Sequence, residues 1–210
     1  MLNGKGLESI NTRSRSEKGF GKPSRISMKC NFTPLPGLLL LTPLVYADAR
    51  GHFFESFNAK TFKQVAGIQP DFVQANESLS KRGVLRGLHW QTPPKAQGKL
   101  VRVVHGAVFD VAVDLRENSE TFGQWYGCEL SDQNHVQLWI PPGFAHGFLT
   151  LTDTAITSYQ VTEHHSPEHE HCLAWNDPVL NIAWPLKRAG VAHPTLSPKD
   201  EQGGAFTSLC

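Results

Sequence analysis

One histidine in this chain stands between two cations. In the segment G-V-L-R-G-L-H-W-Q-T-P-P-K-A-Q-G-K, running from Gly83 to Lys99, His89 is flanked by Arg86 and Lys99. A neutral imidazole beside fixed positive charge suits proton abstraction from an anionic substrate. The guanidinium of Arg86 can grip a phosphate through a forked pair of hydrogen bonds. The ammonium of Lys99 can stabilise an oxyanion. Taken singly, each of these residues is more often a solvated or satisfied polar group than a chemical one. The combination says more, because Gly83, Gly87, Gly98 and the pair Pro93-Pro94 constrain the backbone that would carry it. The segment reads as strand, loop, strand.

A second constellation lies at Gln137 to Phe148, Q-L-W-I-P-P-G-F-A-H-G-F. It has the P-x-G-x-x-H form of the second cupin motif, with His146 as its histidine. A metal cupin supplies H-x-H and a later glutamate from its first motif. Here that place reads His89-Trp90-Gln91, followed by Gln97 and Lys99, with no carboxylate. Two histidines and a lysine make a poor site for a first-row metal, which wants three or four N/O ligands, and a reasonable one for proton transfer. No metal and no cofactor are expected, and an oxidase chemistry is set aside.

These groups need a scaffold. A length of 210 residues fits one domain, and 40% hydrophobic against 19% charged residues allows a buried core. The net charge of +1 argues against a nucleic-acid binder, so any anion site is a local cluster. Residues 1–27 are polar, mixed in charge and without apolar periodicity, and are expected to form a disordered tail before a domain spanning 28–210. The apolar run Leu38 to Val45, followed by Ala47-Asp48-Ala49, imitates a secretory signal. Pro36 and Pro43 interrupt it, and it reads instead as an early core strand. No apolar stretch approaches the ~20 residues of a membrane span. Cys30, Cys128, Cys172 and Cys210 show no paired spacing, which fits free thiols in the cytoplasm.

From Thr33 onward the texture is that of strands. In Lys99 to Arg116, Phe109, Val111, Val113 and Leu115 alternate with Val108, Asp110, Ala112 and Asp114, and Gly106 sits where a hairpin would turn. Further strands are expected at Phe53–Phe57, Phe72–Ser78, Trp125–Leu130, His135–Ile140, Ala145–Thr150 and Ala155–Val161. Short helices are expected at Ala59–Ala66 and near the C-terminus. With 18 Gly and 14 Pro as punctuation, many short strands suggest a β-sandwich or barrel.

These motifs carry a resemblance. D-x-R-G-x-F-x-E-S at Asp48–Ser56, Q-x-N-x-S at Gln74–Ser78, V-L-R-G-L-H at Val84–His89 and Q-G-K-L-V-R at Gln97–Arg102 occur in order. V-F-D-V-A-V-D at Val108–Asp114, the His146 segment, W-N-D at Trp175–Asp177, I-x-W-P at Ile182–Pro185 and L-S-x-K-D at Leu196–Asp200 complete the run. From about Met28 to Asp200 the chain resembles the dTDP-4-dehydrorhamnose 3,5-epimerase family. The resemblance implies an all-β jelly-roll cupin with a few short helices, a homodimer without metal, and a dTDP-4-keto-6-deoxyhexose substrate inverted at C3 and C5. It implies His89 as base, Tyr159 as opposing proton donor, Lys99 at the enolate oxygen and Asp200 as the carboxylate that orients the base. His146 matches a second active-site histidine. Arg50, Glu55, Gln74, Asn76, Arg86, Glu170 and Lys199 match nucleotide-sugar contacts, some of them given across the dimer interface.

One departure concerns His164 and His165, which stand where the family often has tyrosines near the nucleotide base. With His169 and His171 they form a His-rich tract that reads as an exposed loop. A single-centre epimerase, a ketoisomerase on a related keto sugar and a non-catalytic sugar-binding cupin are the alternatives.

Overall fold

Short runs of alternating and β-branched residues close into two antiparallel sheets. A computed structural model describes residues 27–209. The strands are β1 (Met28–Phe32), β2 (Leu39–Pro43), β3 (Tyr46–Asp48), β4 (Gly51–Phe53), β5 (Gln74–Lys81), β6 (Leu85–Gln91) and β7 (Lys99–His105). They continue as β8 (Ala107–Asp114), β9 (Trp125–Ser131), β10 (Gln137–Ile140), β11 (Phe144–Thr150), β12 (Thr154–Val161) and β13 (Glu170–Cys172). The helices are α1 (Ala59–Ala66), α2 (Leu186–Ala189) and α3 (Pro198–Glu201).

The first sheet has the order β1-β2-β10-β7-β12-β5 and the second β13-β6-β11-β8-β9, while β3 and β4 form a separate hairpin. Between the sheets, Val101, Val103, Leu138, Ile140 and Ala155 meet Val108, Ala112, Leu130, Phe144 and Phe148. The far faces are covered as well. Phe62 of α1 packs on Leu39, Leu41, Leu100 and Trp139 behind the first sheet. Leu173, Leu180 and Phe206 of the C-terminal segment pack on Leu88, Trp90, Val111 and Val113 behind the second. Both strand faces are therefore apolar, which is why the runs look nearly continuous rather than cleanly alternating.

The all-β jelly-roll expectation holds, and α1 falls on the expected residues. Asn58 caps it, its side chain accepting from Thr61 N at 3.1 Å, and Gly67 ends it in the left-handed region at φ 73°. The early apolar run is the core strand β2, with Leu38 and Leu41 fully buried.

Other expectations are corrected. β7 and β8 are not a hairpin: β7 pairs with β10 and β12, β8 with β9 and β11. Gly106 carries the chain from one sheet to the other at φ 75°, and a Cβ there would lie 2.2 Å from the carbonyl oxygen of Thr154. The strand at Phe53–Phe57 stops at Phe53, since the hairpin ends there and the chain turns into the helix cap. β5 begins at Gln74 and continues to Lys81, because its partner β12 is long enough to pair with all of it. β10 begins at Gln137, with His135 still in a turn at φ 53°. β1 went unpredicted and pairs with β2 along its whole length. The expected tail lies outside the described residues except for Ser27, whose carbonyl accepts from Leu44 N at 2.7 Å.

Candidate active site

The site is built on β6. His89 lies directly opposite His146 of β11 on one side and Cys172 of β13 on the other. Opposed residues in antiparallel strands project to the same face. Across the gap, Tyr159 of β12 lies opposite both Asn76 of β5 and Val101 of β7. Gln74, Asn76 and Ser78 recur at every second position of β5 and line the space between the sheets. The approach of β6 to β11 is close at Gly87 (φ 105°), where a Cβ would lie 2.5 Å from the carbonyl oxygen of His146.

Two adjoining hollows share His89, Lys99 and Tyr159. One, of about 220 Å³, adds Arg86, His146, Ser197 and Asp200. The other, of about 280 Å³, adds Gln74, Asn76, Gln97, His165 and Glu170. Together they form a polar cleft with room for a sugar and part of a larger substituent.

Within it, Nε2 of His89 lies 2.6 Å from Oδ1 of Asp200. Asp200 sits in α3 and is 3% exposed. Its carboxylate accepts from Ser197 Oγ at 2.7 Å and from Gly87 N at 3.2 Å. Burial pushes the Asp200 carboxyl up, but the His89 and Ser197 contacts outweigh it and hold the group at about 2. The carboxylate thus stays charged at neutral pH. His89 is left with Nδ1 as its second ring nitrogen.

Lys99 is buried, and its Nζ donates to the His89 carbonyl oxygen at 3.3 Å. Burial lowers its ammonium to about 8, against the opposing pull of the Glu170 and Asp110 charges. The Tyr159 phenol is raised, chiefly by burial, and keeps its proton at neutral pH. Arg86 is fixed by its own contacts, Nε donating to Ser80 Oγ at 3.0 Å and a terminal nitrogen to Leu79 O at 3.2 Å. Glu170 pairs with Lys199 and with His165 Nε2 at 3.1 Å. Burial acts to raise Glu170, but those partners win and its carboxyl is lowered.

His89, Tyr159, Lys99, Asp200, Arg86, His146, Gln74, Asn76 and Glu170 therefore line one cleft, with Lys199 at its rim through Glu170. Arg50 and Glu55 do not. Arg50 caps the β3–β4 hairpin, paired with Asp48, its side chain 90% exposed. Glu55 accepts from Ser27 and from Asn58 Nδ2 at 3.0 Å. Sequence reasoning passed over Ser78, Gln97 and Ser197, which line the cleft, and Asp110, which holds His146 from the core. Asp110 carried a signal: it is an acid inside a strand whose neighbours on both faces are apolar. The His-rich tract is only partly loop. His165 reaches the cleft, and His171 lies in β13 stacked on Trp90 with centroids 5.2 Å apart.

Half-buried, pre-placed proton-exchanging groups on facing walls of one cleft, with a buried lysine lining it as well, suit reactions at carbon beside a carbonyl. The family profile of dTDP-4-dehydrorhamnose 3,5-epimerase matches residues 32–208. A dTDP-4-dehydrorhamnose 3,5-epimerase of Pseudomonas aeruginosa is 54% identical over 85% of this chain and 96% of its own. That of Salmonella typhimurium is 52% identical over 80% and 90%. A crystal structure of dTDP-6-deoxy-D-glucose-3,5-epimerase from Legionella pneumophila, in complex with dTDP-4-keto-L-rhamnose, superposes with a TM-score of 0.81 at 46% identity, covering 87% of this chain and 96% of the other. With the motifs, the fold and these relatives in agreement over most of its length, the chain belongs to the dTDP-4-dehydrorhamnose 3,5-epimerase family.

Proposed function

We propose that this protein is an isomerase that inverts C3 and C5 of dTDP-4-keto-6-deoxyglucose, giving dTDP-4-keto-L-rhamnose for deoxysugar synthesis. The observation that carries the reading is the placement of His89 and Tyr159 on opposite sheets across one cleft that Lys99 also lines.

A carbon beside the C4 ketone is too weak an acid to ionise unaided near neutral pH. His89 takes its proton, and the electron pair moves into the ketone to form an enolate. Lys99 supplies positive charge at the enolate oxygen, an effect worth a few kcal/mol in a water-poor site. Tyr159 then gives a proton to the other face of the planar carbon and is reprotonated from solvent, while His89 releases the proton it took to solvent. Asp200 positions the ring of His89 and stabilises the imidazolium it becomes. Inversion needs this division, because a single acid–base group returns the proton to the face it came from.

The remaining lining residues are assigned to binding. Arg86 and Lys199 offer positive charge to the diphosphate, and Gln74, Asn76, His146 and Glu170 offer hydrogen bonds to the sugar and nucleotide. Arg50 and Glu55 lie away from this cleft, and we assign them to the cleft of a second copy in a homodimer. The exposure of Arg50 together with Phe53 (68%) and Tyr46 on the same hairpin supports that assignment. Turnover needs no metal or cofactor in this scheme, since each charge that develops has a protein partner. Free thiols at Cys30, Cys128 and Cys172 support a cytoplasmic location. Among the described residues no helix is long and apolar enough to cross a membrane.

The test is turnover in deuterated water with NMR location of the label. Deuterium at both C3 and C5 supports double inversion. Label at one position alone replaces it with a single-centre epimerase, and no label at all with a binding protein.

A further inference from the structure

His89 has a neighbour that the proposed reaction does not use. Cys172 lies directly opposite it in the β6–β13 ladder, and its Sγ is 3.9 Å from Oδ1 of Asp200. One ring nitrogen of His89, the thiol sulfur and one Asp200 oxygen all lie within 4.8 Å of one another. This is the only such trio of nitrogen, sulfur and oxygen donors among the described residues. A tetrahedral zinc ion, with bonds of about 2.0–2.3 Å, spaces its donors roughly 3.3–3.8 Å apart. The sulfur–oxygen separation of 3.9 Å already lies near that spacing, and the 2.6 Å between His89 Nε2 and Asp200 Oδ1 would have to lengthen to meet it.

The anchors of the three groups favour such a site. The Asp200 carboxylate is held by Ser197 and Gly87, the kind of outer support that orients a metal-bound carboxylate. Cys172 and His89 are fixed by strand register rather than by a loop. His89 and Asp200 line the cleft, and three protein ligands leave a fourth tetrahedral position for water.

Resting on the epimerase reading, we infer that His89, Cys172 and Asp200 form an inhibitory site for a thiophilic divalent cation such as Zn²⁺. Nε2 of His89 gives its lone pair to the ion, with the ring proton residing on Nδ1. The Cys172 thiol gives up its proton to solvent, and Asp200 contributes a carboxylate oxygen. In that state His89 has no lone pair left to take a substrate proton, and Asp200 no longer orients it. The enzyme would be metal-free when active and switched off when the ion binds.

The experiment uses the full chain with two probes. Zn²⁺ added to the epimerase assay should inhibit, and a chelator should restore the rate. Separately, Co²⁺ added without substrate should give a thiolate-to-cobalt charge-transfer band, a readout that requires no turnover. Cys172→Ser should keep a basal rate and melting temperature close to the parent's. It should also lose the cobalt band and weaken zinc inhibition by about tenfold or more. Should Cys172→Ser fold poorly, Cys172→Ala serves for the cobalt measurement. The inference is overturned if the parent shows no thiolate band, if the band survives in the Cys172 variants, or if zinc inhibits Cys172→Ser as strongly as the parent. That last result would assign the inhibition to another donor set, such as the His164–His171 tract. A chain that shows the band but no epimerisation keeps the metal site and loses the proposed function, so the two failures are distinct.

Discussion

Nε2 of His146 lies 3.0 Å from both carboxylate oxygens of Asp110, and Asp110 is wholly buried beneath it. This contact fixes the ring of a cleft residue from the core side. Asp110→Asn keeps the size of the side chain but replaces one acceptor with a donor. It should cost about 1–3 kcal/mol of stability by leaving a buried group mispaired, and it should loosen His146. The expected result is a lower melting temperature together with a raised KM. A fall in melting temperature with unchanged kinetics would show that His146 is not used by the substrate.

His89→Asn retains a polar side chain beside Asp200 while removing the proposed base. Solvent deuterium exchange should fall by about 10²-fold or more, with dTDP binding by calorimetry close to the parent's. A variant that retained a tenth or more of the parent rate would place the base elsewhere.

Tyr159→Phe deletes one hydroxyl and keeps the ring packing. His89 can still take and return a proton on its own face, so wash-in of deuterium should persist while net inversion drops much further. Measuring both rates on one sample decides the matter, since equal losses would mean that Tyr159 only packs or binds.

Lys99 gives a pH signature. Its folded value of about 8 lies below the ordinary 10.5, so the unfolded chain holds more protons between those limits. Stability from this group therefore rises with pH from about 8 to 10.5, and below about 8 the buried charge exerts its full penalty. Activity should move the other way, falling as pH climbs past about 8 and the ammonium loses its proton. Lys99→Met should accordingly stabilise the fold at pH 7 by about 1–3 kcal/mol while lowering turnover by about 10²-fold or more. Chemical denaturation and initial rates across pH measure the two effects.

Deleting residues 1–26 while keeping Ser27 should leave the melting temperature and turnover close to the parent's. Removing Ser27 as well should lower the melting temperature, since that deletes the partner of Leu44 N and of the Glu55 carboxylate. A drop on the shorter deletion would show that the tail packs on the body.

Much of this was readable before any coordinates. α1 falls on the expected residues, and β11 and β12 each begin one residue before the expected strand and end where it was expected to. His89 and Lys99 stood out by residue type and spacing, Tyr159 and Asp200 only through motif resemblance, and their shared cleft needed the fold. Asp200 is 111 positions beyond His89 and arrives on a one-turn helix that no periodicity announces. The β7–β8 link looked like a hairpin because a glycine between two apolar strands is what a hairpin requires. A crossing between sheets requires the same glycine, and local sequence does not separate them. Arg50 and Glu55 matched a motif yet stand outside the cleft, because a motif records residue types without recording where the fold carries them.

His89 belongs to one sheet, and Tyr159 and Lys99 to the other. In the proposed reaction the distance from proton acceptor to proton donor is thus set by the side chains that keep the sheets apart, at the roughly 10 Å spacing usual for such layers. Val101 and Val103, Ala155, Val108 and Phe148 act as a gauge block for the reaction. Trimming one of them should let the walls settle toward each other, so stereochemical fidelity should fail before the fold does. A partly inverted product from a well-folded core variant would be the visible sign of a gap that no longer fits a flat enolate.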